Sequence, residues 1–453
     1  MHGATETIDD LRKGSLHLNC ECIELRSGDQ SRVFKGPGYI RLDDLEFSVT
    51  LFVEGTPAMQ QARPPLFAGG VSPGVLLPKE HYWSMAATDT RGRRWSAERI
   101  ALPSTEGSGH TSGYTLSGSC RELTMTNDAS KTYHARRIGI EMRCFDCIAF
   151  PRNACSRTTV VLDGQTRQES TNFNLAKSSF LGFELEIAEE DGDTRLRMTT
   201  GAPMLHPHVE SRVSEALLFV LGTDINWSVI ERTDEGSIRL TLRPRSKPHK
   251  PRFSGSPIAF NTISHADAVW NMFELYLSYV LQDTVSPYHP LSAQVSAVVL
   301  ADEASVEAQA LSVAVAVESV LNLFYRDVGR PAQSVLDAVK ELQAYINEWH
   351  GMSELKTRAL GSVGQMKSVR PGDRLRDLIE RRVVADKNVS AWTRLRNSVA
   401  HGDWSGVADL QTFIDRTEDV LVLFNQLIFH LIGYKGKYTD WGAHGWPIIQ
   451  YPP

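Results

Sequence analysis

The sequence predicts an α+β protein with two main parts: a β-rich N-terminal domain of sandwich-like or barrel-like architecture, and a C-terminal all-α helical bundle. Apolar residues alternate with polar ones up to about residue 205, whereas helical periodicity prevails from His265 onward. A basic, proline-rich stretch separates the two patterns. We therefore expect domains at 1–205 and 254–453, joined by residues 206–253, which hold one helix, one hairpin and that basic connector.

The N-terminal part has the alternation that is typical of half-buried strands. It is clearest in residues 39–53, 180–187 and 194–200, and the Glu-Asp-Gly-Asp sequence at 190–193 favours a hairpin turn between the last two. Residues 104–119 are rich in Ser, Gly and Thr, which predicts a loop. We find no catalytic constellation in this part. We therefore interpret it as a domain that senses or binds an unidentified trigger ligand.

The middle segment combines three features. Residues 207–222 have a helical pattern that ends at a glycine, the usual left-handed cap. Strands at 227–232 and 237–242 predict a hairpin around a Thr-Asp-Glu-Gly turn. Three prolines stand among five cations in 243–252. Because proline removes backbone donors, this stretch is predicted to be an extended, solvated connector, with contact to a phosphate backbone as the alternative.

The C-terminal part reads as a bundle of helices. They are predicted at 266–282, 304–325, 331–349, 373–384 and 410–431. The second of them is apolar almost all round, which predicts a buried helix. The tail at 438–447 lacks helical periodicity and is predicted to pack as an extension.

Composition limits the classes of function. The chain has 453 residues, 42% hydrophobic and 23% charged, which is ordinary for a soluble globular protein. The net charge of −6 excludes a global attraction to nucleic acid, so an RNA site must be a local basic patch. The polar, acidic N-terminus argues against a secretory signal, and the apolar run 420–432 is too short and too polar to span a bilayer. We expect a cytoplasmic protein without a membrane partner.

The six cysteines all lie in the first 155 residues. Four of them have spacings that would suit a structural zinc ion, namely Cys20, Cys22, Cys144 and Cys147. Against zinc, the segment 144–147 has no Gly or Pro to turn a knuckle, and apolar strand-like residues flank it. Buried free thiols are the commoner state in a reducing compartment, so no cofactor is expected.

The candidate site lies near the C-terminus, in the sequence Arg396-Asn397-Ser-Val-Ala-His401-Gly402. The residues before it predict a helix, and the glycine predicts where the helix ends. Positions five apart on an ideal helix differ by about 140°, so Arg396 and His401 converge on one pocket only if the last turn unwinds. The alternative interpretation is a histidine that merely satisfies the terminal carbonyls of the helix.

The pattern Arg396-Asn397-x-x-x-His401 resembles the RNxxxH signature of the HEPN superfamily, small helical domains that are often ribonucleases. With its flanking Leu395, Ala400 and Gly402, it looks most similar to the Apea-like branch, known from bacterial and phage-defence proteins. The resemblance covers the C-terminal 200 residues or so. It implies a metal-independent endoribonuclease of antiphage defence, with the three motif residues as catalytic residues. It also implies a homodimer through the HEPN-like domain.

The residue types fit that chemistry. RNA carries its own nucleophile, the 2′-hydroxyl, so a ribonuclease without metal needs a base and a cation near the phosphate. His401 can exchange protons near neutral pH, and Arg396 carries a permanent planar charge that matches phosphate. Asn397 can orient either side chain or bind a phosphate oxygen. The predicted products are a 2′,3′-cyclic phosphate and a 5′-hydroxyl.

Glu318 is predicted to support the site. It is the sole charge between Glu307 and Arg326 in the apolar helix 304–325. A buried carboxylate is costly unless it is paired, so we expect Glu318 to pair with Arg396 and its removal to cost a few kcal/mol. The Apea-like branch commonly has Glu-Ser in this helix, which is a second resemblance. The alternative is a partly exposed Glu at the helix edge.

Cations concentrate just before the motif. Residues 356–396 contain 11 Lys or Arg and 4 Asp or Glu, whereas the rest of 254–453 contains 6 and 18. A local basic face is what RNA binding requires, although such runs are commonly only solvated. The predicted RNA-binding residues are Arg374, Arg376, Arg381, Arg382 and Arg394.

Two other functions stay open from the sequence. The first is a non-catalytic HEPN-like module that binds a nucleotide, RNA or a protein through the same pocket. The second is a structural helix cap, with the function lying in the β-rich domain. Assays of RNA cleavage separate the catalytic function from both.

Overall fold

The structure is a computed structural model that describes residues 2–54, 81–107, 113–128, 138–162, 165–201, 206–246, 255–261, 263–302, 304–401 and 410–453. The chain divides into two compact units. The β unit comprises Met1–Ile148, Arg152–Leu205 and Ile225–Pro248, and the helical unit comprises Ala149–Pro151, His206–Asp224 and His249–Pro453. The predicted α+β fold, β-rich first and helical afterwards, is confirmed.

The β unit opens with helix α1, His2–Arg12, which the sequence did not predict. The strands before residue 130 are β1 His17–Ser27, β2 Val33–Asp43, β3 Glu46–Glu54, β4 Trp83–Asp89, β5 Arg94–Gly107, β6 Gly113–Cys120 and β7 Leu123–Asp128. The later strands are β8 Ile138–Cys144, β9 Ala154–Leu162, β10 Gln165–Phe180, β11 Phe183–Glu190, β12 Asp193–Thr200, β13 Val229–Asp234 and β14 Ser237–Leu242.

Six of these strands close into an antiparallel barrel. In the order β4, β1, β2, β3, β6, β5, each strand pairs with the next, and β5 returns to pair with β4. Phe47, Val49 and Leu51 alternate along β3 and point into the core, as period-two geometry requires. Leu11 of α1 packs into the same core. The predicted barrel-like architecture is thus a closed ring, in which every strand has two neighbours.

Strand β5 also starts a long extension of the sheet. Its residues Trp95 and Ser96 pair with Met125 and Thr124 of β7. From there the strand order is β7, β14, β13, β8, β12, β11, β10, β9, and every ladder is antiparallel. The two hairpins predicted from the sequence, β11–β12 and β13–β14, both lie in this extension.

In the β unit, the strand prediction for residues 39–53 holds with one break, and the loop prediction for residues 104–119 was wrong. Residues 39–53 form parts of two strands, because the chain turns at Asp44, whose φ is 55°. Residues 104–119, predicted as a loop, lie largely in β5 and β6, and 108–112 are outside the described residues. In β6, Leu116 and Cys120 face the core. The small polar residues that suggested a loop alternate with them on the outer wall of the barrel.

The helical unit is built from nine described helices. These are α2 Val209–Leu221, α3 Ala266–Val280, α4 Pro290–Ala301, α5 Val306–Phe324, α6 Gln333–Glu348, α7 Ser353–Gln365, α8 Pro371–Glu380, α9 Asp386–His401 and α10 Leu410–Ile432. A short hairpin, β15 Lys437–Thr439 with β16 Ile448–Gln450, follows them. The tail is packed as predicted, since Tyr438, Trp441 and Tyr451 are buried. Helices α4 and α7 were not predicted.

Two glycines end helices where the sequence placed the ends. Gly222 caps α2 with a φ of 63°, and Gly433 follows α10 with a φ of 71°. A Cβ on Gly222 would also lie only 2.2 Å from the carbonyl carbon of Gly255. Both the left-handed backbone and this close approach therefore require glycine at position 222.

The predicted intermediate segment, residues 206–253, is not a unit of its own. Its helix α2 packs on α3 and α4 in the helical unit, whereas its hairpin β13–β14 lies between β8 and β7 in the sheet. Each element has an apolar face that must be covered, and each is covered in a different unit. The connector was predicted over 243–252, of which 247–252 lie outside the described residues.

Helix α5 was predicted to be buried almost all round, and one of its faces is not. It packs against α4, α9 and α10, yet Leu311 and Val315 are 49% and 53% exposed. By length and composition alone, α5 would be able to cross a membrane, with a hydropathy of 1.3. The core helix of a bundle meets the same criteria.

A fully buried polar cluster joins α2 to α3 and α4. Arg212 and Glu215, both with side chains 0% exposed, form an ion pair of 2.7 Å. Arg212 Nη2 donates to the carbonyls of Asp283 and Ser286, at 2.9 and 2.6 Å. Ser292 Oγ donates to Glu215 Oε2 at 2.8 Å. Burial raises the pKa of Glu215, and these hydrogen bonds oppose that effect.

Candidate active site

The candidate site is carried by α9 and supported by α5. Helix α9 spans Asp386–His401, so it reaches the last motif residue without a break. Its buried residues include Asn388, Ala391, Trp392 and Leu395. Trp392 Nε1 donates to the carbonyl of Ala314 on α5 at 3.1 Å, which fixes the two helices against each other.

Arg396 and Glu318 pair, as the sequence predicted. Arg396 Nε lies 2.9 Å from Glu318 Oε2, and the guanidinium carbon lies 5.8 Å from the centroid of the Trp392 ring. Trp392 precedes Arg396 by four residues, so both project from one side of α9. A carboxylate from one side and an aromatic face from the other therefore orient the guanidinium.

The pair is only half-buried, which corrects the expected burial of Glu318. The side chains of Arg396 and Glu318 are 47% and 33% exposed. Within the described residues, the two Nη atoms of Arg396 have no hydrogen-bond partner, because its only bond uses Nε. The guanidinium is thus anchored by one edge, and its two terminal nitrogens are available to an external anion. Two parallel N–H donors of this kind suit a phosphate.

Because α9 is unbroken, the three motif residues lie at fixed angles around its axis. With about 100° per residue, the Cα of His401 lies about 140° from that of Arg396 but only about 40° from that of Asn397. Arg394 and Asn397 are exposed and occupy this second side of α9. Convergence of Arg396 and His401 was predicted only if the chain unwinds at Gly402, and that residue lies outside the described part of the chain. The side chain of His401 and residues 402–409 are outside the described part of the chain.

The predicted RNA-binding cations differ in their surroundings. Arg374 is 8% exposed and its Nη1 donates to Asn322 Oδ1 of α5 at 2.7 Å, so it is a packing residue rather than a phosphate ligand. It shares the buried face of α8 with Leu375 and Leu378. The other four, Arg376, Arg381, Arg382 and Arg394, are exposed.

Local carboxylates offset part of the positive charge. Arg376 lies 3.4 Å from Asp373, and Arg381 lies 2.8 Å from Asp377. Both ion pairs are exposed to solvent. Their arginines can therefore leave the carboxylates and bind phosphate with little loss of free energy. The basic face before the motif is therefore available to RNA, but its net field is weaker than the count of cations suggests.

The six cysteines lie in the β unit. Within the described residues, no group of three or more His, Cys, Asp or Glu side chains is placed to hold a metal. Cys20 and Cys144 are buried, and desolvation raises their pKa to about 12 and about 11. Cys147 is exposed and Cys22 is half-buried.

Two supporting residues escaped the sequence reasoning. Trp392 provides the aromatic face beneath Arg396, and its spacing of four residues from Arg396 was a signal that pointed to it. Asn322 binds Arg374, but an Asn near the end of an apolar helix has no distinctive pattern. Searches against family models, curated proteins and solved structures found no match to this chain. The resemblance to the HEPN superfamily therefore rests on the sequence motif.

We expect Glu318→Ala to act on Arg396 rather than on stability. Because the pair is partly exposed, its loss should lower the free energy of unfolding by about 1 kcal/mol or less, not by the larger amount expected for a buried pair. RNA cleavage should fall at least tenfold, since the guanidinium loses its anchored edge. Urea denaturation and cleavage assays measure the two effects. Glu307→Ala, an exposed carboxylate in the first turn of the same helix, is the matched control. Full cleavage by Glu318→Ala would remove Glu318 from the site.

Proposed function

We propose that this protein is a metal-independent endoribonuclease of HEPN type that acts in the cytoplasm, in antiphage defence, as a homodimer. The observation that supports the proposal is the state of Arg396. Glu318 and Trp392 hold its guanidinium, while both Nη atoms stay available. Arg374 contrasts with it, because this arginine is 8% exposed and one of its terminal nitrogens, Nη1, donates to Asn322 within the fold.

In the proposed reaction, His401 removes the proton from the 2′-hydroxyl of the RNA. The 2′-oxygen then attacks the adjacent phosphorus, and the bond from phosphorus to the 5′-oxygen breaks. The proton held by His401 passes to the departing 5′-oxygen, which leaves as a hydroxyl. The proposal requires the chain to unwind at Gly402, so that Arg396 reaches the same phosphate as His401. Arg396 then stabilises the additional negative charge on the phosphorane-like transition state through its two Nη donors. Asn397, one turn before His401, orients the histidine or a phosphate oxygen.

Affinity for RNA comes from a different set of residues. The exposed cations Arg376, Arg381, Arg382 and Arg394 bind the phosphate backbone without reading sequence. The net charge of −6 makes this attraction local, so RNA binding should weaken strongly as salt concentration rises. Cleavage and binding therefore depend on separate side chains.

Incubation of the pure protein with RNA in EDTA tests the proposal. We expect cleavage that chelation does not affect, with 2′,3′-cyclic phosphate and 5′-hydroxyl ends. A short RNA with a single 2′-deoxy nucleotide at the cut site should bind normally and stay intact, because it lacks the nucleophile. Cleavage of that deoxy site, or loss of activity in EDTA, would contradict the mechanism. RNA or nucleotide binding that depends on Arg396, with no cleavage under any condition, would instead identify a non-catalytic binding module.

A further inference from the structure

The helices α6 and α7 form a hairpin that is poorly covered by the rest of the chain. They pack against each other, yet Val339 and Val363 are the only buried residues of the two helices. Helices of about 12–15 residues are marginal on their own in water, and burial of two valines adds only about 3–6 kcal/mol. Two helices of this length are therefore expected to gain stability from a further contact.

The hairpin has an apolar face that would supply such a contact. In α6 and its C-cap, Val335, Leu342, Tyr345 and Trp349 are between 42% and 75% exposed, and they lie within about 80° around the helix axis. Helix α7 has a comparable set of exposed apolar side chains: Met352 at its N-cap, Leu355 in its first turn and Met366 at its C-cap. These three positions also lie on one side of the helix axis. Spacings of three, four and seven residues are those of a helix that packs against other helices.

A cavity in this face indicates the kind of partner. It has a volume of about 300 Å³ and is lined by Ser334, Val335, Ala338, Val339 and Leu342 of α6. This volume is at the lower limit of small-molecule sites, and the lining has almost no polar group to orient a ligand. A shallow apolar cavity along one helix is instead suited to the side chains of another helix.

Charge and area point to a second copy of the same hairpin. Helix α6 has three acidic residues and one lysine, whereas α7 has Lys356 and Arg358 against Glu354. If α6 lies against α7 of another copy, their net charges are opposite. The seven exposed apolar side chains offer roughly 700 Å², close to the ~800 Å² that each partner provides in a stable interface.

We propose that the α6–α7 hairpin is a self-association surface, through which two copies of the chain form an intermolecular four-helix bundle. Such a contact is isologous, because α6 of each copy contacts α7 of the other across a twofold axis. The proposal rests on the homodimer of the proposed function and names its contact surface. This surface contains neither Arg396 nor His401, so a failure of self-association is distinguishable from a failure of RNA cleavage.

Analytical ultracentrifugation of the full chain tests this proposal. Wild-type protein should sediment as a dimer of the 50.4 kDa chain. Leu342→Glu combined with Leu355→Glu should weaken dimerisation at least about a thousand-fold, because each interface carries the change twice. Leu311→Glu is the matched control, since Leu311 is an equally exposed leucine on α5, and it should leave the dimer unchanged.

Circular dichroism and thermal unfolding are measured on each variant at the concentration where wild type is dimeric. A folded monomer of the double variant supports the proposal. As a second probe, Tyr345→Cys should give cross-linked dimers with a bifunctional maleimide, whereas Leu311→Cys should not. Both changes are made in a background in which the exposed Cys147 and Cys155 are replaced by serine. A monomeric wild type, a folded double variant that is still dimeric, or equal cross-linking at both positions would overturn the proposal.

Discussion

RNA cleavage by His401→Ala should be about 10²–10⁴-fold slower than cleavage by the wild type, which is the usual effect of removing a positioned acid–base group. Arg396→Ala should be comparably slow. Arg396→Lys should not restore the rate, because an ammonium cannot keep the bond to Glu318 while offering two parallel donors to phosphate. Initial rates on a defined RNA at saturating concentration measure these effects.

The controls for this experiment separate chemistry from binding. His401→Ala should bind RNA nearly as well as the wild type, because Arg376, Arg381, Arg382 and Arg394 remain on the surface. His444→Ala, an exposed histidine in the C-terminal tail, should cleave at the wild-type rate. A His401→Ala protein with full activity would leave the motif without a catalytic role.

Glu215→Ala should cause the largest loss of stability that we expect from a single change. It would remove the closer carboxylate, at 2.7 Å, from the fully buried Arg212 guanidinium and leave only Asp283 Oδ2 at 3.9 Å. Removal of one partner from a buried ion pair typically costs about 3–5 kcal/mol in the free energy of unfolding. Urea denaturation, followed by a signal from the helical unit, measures this loss.

Related variants test whether the loss comes from the unpaired charge. Arg212→Met combined with Glu215→Leu should recover much of the stability, because apolar residues of similar volume can replace a buried pair. Glu354→Ala, which breaks an exposed pair with Arg358, should leave the unfolding midpoint unchanged. If Glu215→Ala is as stable as Glu354→Ala, the buried cluster does not stabilise the fold in the way described.

Local patterns were enough to predict several features. A lone carboxylate in an apolar helix needs a cation, and this rule paired Glu318 with Arg396 across two helices. Gly222 and Gly433 marked helix ends because few other residues adopt a left-handed backbone. In both cases the physical cause acts on one residue or one pair, so it is visible in the sequence.

Other features depend on contacts between distant parts of the chain. Leu242 pairs with Leu123, and no local pattern selects that partner. Arg374 appeared to be one of a run of exposed cations, yet α8 turns it toward Asn322. The helical face that a cation occupies depends on which neighbours cover the helix, and tertiary packing decides this.

The path of the chain has a consequence for how such a protein can evolve. Helix α2 lies in the sequence between β12 and β13, so the polypeptide enters the helical unit and then returns to the sheet. A fragment that stops at residue 205 lacks the hairpin joining β7 to β8, and a fragment that starts at residue 254 lacks α2 and its ion pair. A single recombination event between genes cannot transfer either unit intact. A different β unit for the same helical unit would need crossovers on both sides of α2, so the two units are expected to be inherited together.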